Sequence, residues 1–209
     1  MSFYKSVKIN ETTELFLWKI TEDYNDLYRK VSLKDVSLAR LDGMKSETHQ
    51  NAFLSVRMLL QHCGYTDFDL FYDEFGKPHL QDGKHISISH ALGFSAIILS
   101  NENVGIDLEQ AKEKVLKIAS RFMDVSHLEN LTEEDQIHKA TVIWGIKEAI
   151  FKLKNEKGIS FPKHIFEAPF ELKDKKCTAQ LHFNNSVEDF DIAFDLVEDY
   201  VFVCAMKKK

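Results

Sequence analysis

The sequence predicts a mixed α+β protein made of two similar lobes, each a long helix packed on a small, mostly antiparallel sheet. Three observations carry that expectation. Apolar residues recur at i, i+3 and i+4 over 46–63 and again over 132–154; short runs with a period of two flank both stretches; and strands come in groups instead of alternating strictly with helices. The 209 residues suffice for one domain or for two lobes of about 100 residues each.

In chain order, residues 14–20 alternate apolar and polar side chains and read as a strand. Thr21 follows as an N-cap for a short helix over 22–30, with acids in its first turn and bases in its last. The first strong helix spans 46–63, with Ala52, Phe53, Val56, Leu59 and Leu60 on one face and Gly64 at C′. Strands are expected at 68–72, 85–89, 94–100 and 104–109, with a turn at Gly76-Lys77-Pro78. Helical patterns return at 113–123 and at 132–154, the latter capped by Thr132, opened by Glu133-Glu134-Asp135 and ended by Gly158. Stretches 166–172, 178–183, 190–197 and 200–206 then read as an antiparallel meander. No residue-level repeat relates the halves.

Composition excludes several classes. Hydrophobic residues at 44%, charged residues at 29% and three prolines fit a folded globular chain, not a disordered or low-complexity one. A net charge of −6 disfavours a nucleic-acid binder, which needs a basic excess. Up to residue 103 there are 11 bases against 14 acids, and beyond it 16 against 19, so neither half is a charged tail. Cys63, Cys177 and Cys204 lack the number and spacing of a disulfide framework or zinc site and read as three buried thiols. The first residues lack a signal-peptide pattern, and no apolar run approaches the ~20 residues of a membrane span. A cytoplasmic protein with no membrane partner is expected.

Four segments carry chemistry. Gly105-Ile106-Asp107-Leu108-Glu109 puts two carboxylates on one face of a strand, suited to a hard cation or simply solvated. In Trp144-Gly145-Ile146-Lys147-Glu148-Ala149 with Lys152, Trp144, Glu148 and Lys152 recur every four residues of a helix. That spacing makes either a Glu148–Lys152 surface ion pair or a carboxylate and an ammonium beside the Asp107/Glu109 pair. Ser87-Ile88-Ser89-His90 closes a strand with hydroxyls and an imidazole that could hold a phosphate or serve structure alone. Phe75-Gly76-Lys77-Pro78 fixes a lysine in a turn, for an anion or as an ordinary hairpin. Walker A, GxGxxG, GxSxG and HExxH patterns are absent.

In this order the four segments together resemble the 4′-phosphopantetheinyl transferase superfamily, and within it the Sfp-type, two-lobed monomeric branch. The resemblance implies two pseudo-twofold lobes, here 1–103 with coenzyme A phosphate and adenine contacts and 104–209 with the metal and catalytic acids. It implies an Mg²⁺-dependent transferase that moves the phosphopantetheine arm of coenzyme A to a serine of an acyl, peptidyl or aryl carrier protein, releasing 3′,5′-ADP. Asp107, Glu109 and Glu148 match the metal-binding acids. Glu148 also matches the base acting on the acceptor serine, and Lys152 the group that stabilises the leaving oxygen. Lys45, Gly76, Lys77, Pro78, Ser89 and His90, with Asp107, Glu148 and Lys152, match coenzyme A contacts. Lys34, Arg40 and Arg57 offer further basic groups near Lys45. Ala91 stands where the family often has a second serine, and Arg121-Phe122 keeps the family's RF pair. A silent coenzyme A or carrier-protein binding module is the alternative.

Overall fold

A computed structural model describes residues 3–208. The chain divides into two compact units, Met1–Glu102 and Asn103–Lys209.

The first unit contains β1 (Phe3–Asn10), β2 (Thr13–Lys19), α1 (Tyr24–Tyr28), α2 (Asp35–Asp42), α3 (Glu47–His62), β3 (Leu70–Tyr72), β4 (Pro78–Leu80), β5 (His85–Ala91) and β6 (Phe94–Ser100). Its antiparallel sheet runs β1-β2-β6-β5, and β3 pairs with β4 in a separate hairpin. Every residue of the inner strand β6 is buried, which explains its unbroken run of apolar and small side chains. The helix α3 seals one face through Val56, Leu59 and Leu60 against Trp18, Ile86, Ile97 and Leu99. Its other flank takes Leu27 and Leu41 against Phe53 and Leu54. Small hydroxyls pair where elements crowd, Ser55 of α3 with Ser95 of β6 at 2.7 Å and Thr13 of β2 with Ser100 of β6 at 2.8 Å.

The second unit contains β7 (Val104–Gln110), 3₁₀ turns at Glu113–Arg121 and Val125–Leu128, α4 (Glu133–Lys154), α5 (Phe161–His164), β8 (Ile165–Glu167), a 3₁₀ turn at Leu172–Asp174, β9 (Lys176–Phe183), β10 (Ser186–Val197) and β11 (Tyr200–Lys207). The sheet order β7-β11-β10-β9-β8, antiparallel throughout, is the expected meander closed by β7. Each unit thus has a long helix on an antiparallel sheet, and the α+β expectation holds.

Several local expectations need correction. The helix after Thr21 is shorter and is capped by Asp23, which accepts from Asp26 N–H. The Glu22 carboxylate is taken by Trp18 Nε1 and Thr21 N–H at 3.3 and 3.2 Å, which keeps that stretch out of the helix. Strand β1, with Lys5 and Lys8 along a sheet edge, and helix α2 were not anticipated. Residues 113–123 coil more tightly, as a 3₁₀ helix. The strand expected over 166–172 stops at Glu167, since Pro169 has no N–H for the ladder and Leu172–Asp174 forms a turn with a capping box. Asn155, left-handed at φ 52°, ends α4 in place of Gly158. Only Cys204 of the three free thiols is fully buried; Cys63 and Cys177 are partly exposed. Burial still pushes the Cys63 and Cys177 thiols up to about 12, so neither is a ready nucleophile.

Arg57 is withdrawn from solvent at 3% exposure. Its Nε meets Asp67 Oδ1 at 3.0 Å, its guanidinium stacks over Phe53, and the Lys34 backbone N–H holds the other Asp67 oxygen. Removing one partner of a buried ion pair strands the other charge. Arg57→Met is therefore expected to cost about 3 kcal/mol, measured as a lower urea midpoint with an unchanged slope.

Candidate active site

The second unit's site is built by close approach. On β7 the residues Gly105, Asp107 and Glu109 alternate onto the face that α4 covers. A Cβ at Gly105 would lie 1.9 Å from Ala149 O on α4, and one at Gly145 would lie 2.5 Å from Val203 Cγ2 on β11. Two glycines, one on strand and one on helix, therefore let the backbones approach where any side chain would hold them apart. Val203 pairs with Asp107 and Ala205 with Gly105 across the ladder, so the neighbouring strand also presents small groups there. Glu148, beside Ala149, is carried to the two strand carboxylates by this contact.

Asp107 is 3% exposed, and its Oδ1 receives Lys152 Nζ at 2.7 Å. The helix lysine thus reaches across to the strand. Glu109 and Glu148 are half-buried. Burial raises the Glu109 pKa and the negative charge of Asp107 adds to it; Lys152 and a hydrogen bond with the Trp144 side chain pull the other way. For Glu148 burial again raises the pKa most, then Asp107, with Lys152 opposing and Glu109 adding a further push. Three carboxylates within electrostatic reach of one another, with the Lys152 ammonium paired to Asp107, form a site of concentrated negative charge.

Among the described residues, no group of three or more His, Cys, Asp or Glu side chains forms a ready metal cage. The donor set nevertheless fits a hard cation. All three groups are carboxylates, and their mutual repulsion is what a divalent ion would relieve. Magnesium characteristically uses one or two protein carboxylates and completes its shell with water and substrate phosphate.

The remaining sequence candidates lie in the first unit. Gly76 sits at φ 84°, a conformation that glycine adopts without strain. The turn is organised by Asp73, whose Oδ1 accepts from Phe75 and Lys77 N–H at 2.9 Å each and whose Oδ2 lies 3.1 Å from His79 Nε2. Pro78 then opens β4. Lys77 is near enough to His85, at the start of β5, to help lower its pKa, after burial as the larger cause. Ser89 and His90 lie near the other end of β5, Ser89 buried and His90 exposed, as adjacent residues of a strand must face opposite ways. Lys45 is exposed between α2 and α3. Of its basic neighbours, Arg57 is buried, Lys34 Nζ donates to Leu70 O, and Arg40 packs over Phe53 and Tyr72.

The sequence alone offers no role for Trp144 as a partner of Glu109, for Glu167 as the partner of Lys147, or for His127, which lies against Glu167. One signal was available: Lys147 falls among Ile143, Ile146 and Ile150, on the buried side of α4.

Residues 103–205, within the second unit, match the family described as the 4′-phosphopantetheinyl transferase superfamily. The chain is 32% identical over 97 residues to the 4′-phosphopantetheinyl transferase gsp of Aneurinibacillus migulanus, covering 45% of this chain and 40% of that protein. It is 29% identical over 106 residues to the 4′-phosphopantetheinyl transferase Sfp of Bacillus subtilis strain 168, covering 48% and 47%. The 4′-phosphopantetheinyl transferase ffp of Bacillus subtilis is 30% identical over 98 residues, covering 44% and 43%. The chain thus spans less than half the length of these relatives.

Proposed function

We propose that the protein transfers the 4′-phosphopantetheine arm of coenzyme A to a serine hydroxyl of an acyl, peptidyl or aryl carrier protein and releases 3′,5′-ADP. The observation that carries this reading is the grouping of Asp107, Glu109, Glu148 and Lys152 at the contact of β7 with α4. The match of residues 103–205 to the superfamily supports it.

Each residue has a chemical task. The acceptor oxygen forms a bond to the phosphorus bearing the pantetheine arm, the bond to the bridging pyrophosphate oxygen breaks, and the serine proton must leave. Glu148, whose raised pKa makes it a better base than an exposed glutamate, takes that proton directly or through one water. Lys152, oriented by Asp107, offers its ammonium to the oxygen of the departing 3′,5′-ADP. Asp107, Glu109 and Glu148 would hold Mg²⁺, which when bound supplies charge neutralisation on the pyrophosphate. The first unit contributes coenzyme A phosphate and adenine contacts through Lys45, Gly76, Lys77 and Pro78, with Ser89 and His90 at the 3′-phospho-adenosine end. We read the protein as a cytoplasmic monomer; among the described residues no helix is long and apolar enough to cross a membrane.

Intact mass spectrometry tests the proposal. An apo carrier protein incubated with this protein, coenzyme A and Mg²⁺ is expected to gain the mass of one phosphopantetheine. An unchanged carrier mass, with coenzyme A binding seen by calorimetry, would replace transfer with a silent binding role.

A further inference from the structure

Lys147 is a charged residue at 2% exposure in the middle of α4. Its Nζ donates to Ile165 O at 2.5 Å and to the Glu167 carboxylate, both on β8. The second Glu167 oxygen lies 3.3 Å from His127 Nδ1, on the 3₁₀ turn before α4. Glu167 is itself nearly inaccessible, with a side chain 4% exposed, and Cys177 lies near enough for Glu167 to help raise its thiol pKa, after burial. This network stands apart from the three acids, yet it begins one residue before Glu148.

A buried ion pair is a poor device for stability, because an apolar pair of similar volume avoids the desolvation cost. What the pair adds is direction. The close approaches of α4 to β7 and β11 at Gly105, Gly145, Ala149 and Val203 set how near the helix lies, and Lys152 ties it to Asp107 on β7; the β8 side of the helix is held through Lys147. Lys147 donates to two acceptors at fixed places on β8. Consecutive helix residues are about 100° apart around the axis, so anchoring Lys147 sideways determines where Glu148 points. At a side-chain radius of about 6 Å a rotation of about 10° moves a carboxylate by about 1 Å, and displacements of that size cost on the order of 10²-fold in rate.

We propose that Lys147, Glu167 and His127 form a positioning network that sets the rotation of α4 and so aims Glu148 at the acceptor hydroxyl. The role rests on the transfer reaction proposed above, and the network touches neither substrate nor metal.

The decisive variant is Lys147→Met with Glu167→Leu, which removes both charges and leaves neither stranded. It is expected to melt at or above the wild-type temperature, to keep KM for coenzyme A within about twofold, and to lose on the order of 10²-fold in kcat. A purely structural role would not lower kcat while leaving KM and stability in place, and a double variant with wild-type kcat overturns the proposal. If that variant does not fold, Glu167→Gln decides. It keeps the shape and one acceptor for Lys147, and a several-fold loss of kcat at unchanged KM supports the network whereas wild-type kcat overturns it. Wild-type protein that transfers nothing refutes the proposed reaction and the positioning role with it; active wild type beside unaffected variants refutes the positioning role alone.

Discussion

Glu148→Gln is expected to lower the transfer rate by about 10²–10⁴-fold, the usual range for a general base, while yielding a protein more stable than the wild type at neutral pH. The first half follows from the two roles proposed for Glu148, as base and as one of the metal-binding acids. The second follows from linkage. The folded-state pKa of Glu148 is raised by burial and by Asp107, so the folded protein binds a proton here more tightly than the unfolded chain. This contribution to stability is fully present below the unfolded pKa and is lost as pH rises through the folded value. At pH 7 the ionised carboxylate therefore opposes folding, and the neutral amide removes that opposition. Thermal melts at pH 7 and pH 4 without metal check it: the variant's higher melting temperature is expected at pH 7 and should vanish towards pH 4. A variant that is destabilised at pH 7, or that transfers at the wild-type rate, contradicts the site as described.

Gly105→Ala is expected to be the most damaging single methyl in the second unit. The new Cβ would sit 1.9 Å from Ala149 O and 2.9 Å from its carbonyl carbon. Both are backbone atoms of a long helix, so the clash is relieved only by moving α4 off the sheet and opening the core formed by Ile146, Ile150 and Val203. A loss of about 4 kcal/mol or more is expected, the exceptional range for a point substitution, seen in denaturant unfolding as collapse of the second unit's transition. Gly145→Ala supplies the contrast. Its Cβ meets Val203 Cγ2 at 2.5 Å, a side-chain methyl that Val203→Ala removes. Gly145→Ala combined with Val203→Ala should therefore be markedly more stable than the two separate effects sum to, whereas no side-chain truncation rescues Gly105→Ala.

Much of the fold was legible because its signals are local. Thr132, three acids and an apolar stripe announce α4, and Thr132 Oγ1 does accept from Asp135 N–H. The run 94–100 announces β6 to the residue. The failures fall where groups take partners that periodicity does not record, some close in sequence and some far. Glu22 belongs to Trp18 instead of to a helix, and α2 begins beside a tertiary bond from Lys34 N–H to Asp67. A strand expected past Glu167 ends because β8 pairs with β9 only over Ile165–Glu167.

The site divides in the same way. The residue types and their spacing within Gly105–Glu109 and Trp144–Lys152 are properties of the sequence alone, as is the family resemblance they carry. Spacing of four along a helix pointed to a Glu148–Lys152 pair, but reach across the β7–α4 contact is a property of two backbones in space, and it is there that Lys152 meets Asp107 at 2.7 Å. In the same way Arg57, in sequence one more basic group near Lys45, becomes a buried structural cation beside Asp67, and Lys147, one letter of a motif, becomes the anchor of α4 to β8. Sequence determined which charges the protein has and on which element each lies. Tertiary structure decided which of them meet, because a charge buried among apolar side chains must find its partner wherever the fold brings one within hydrogen-bond distance.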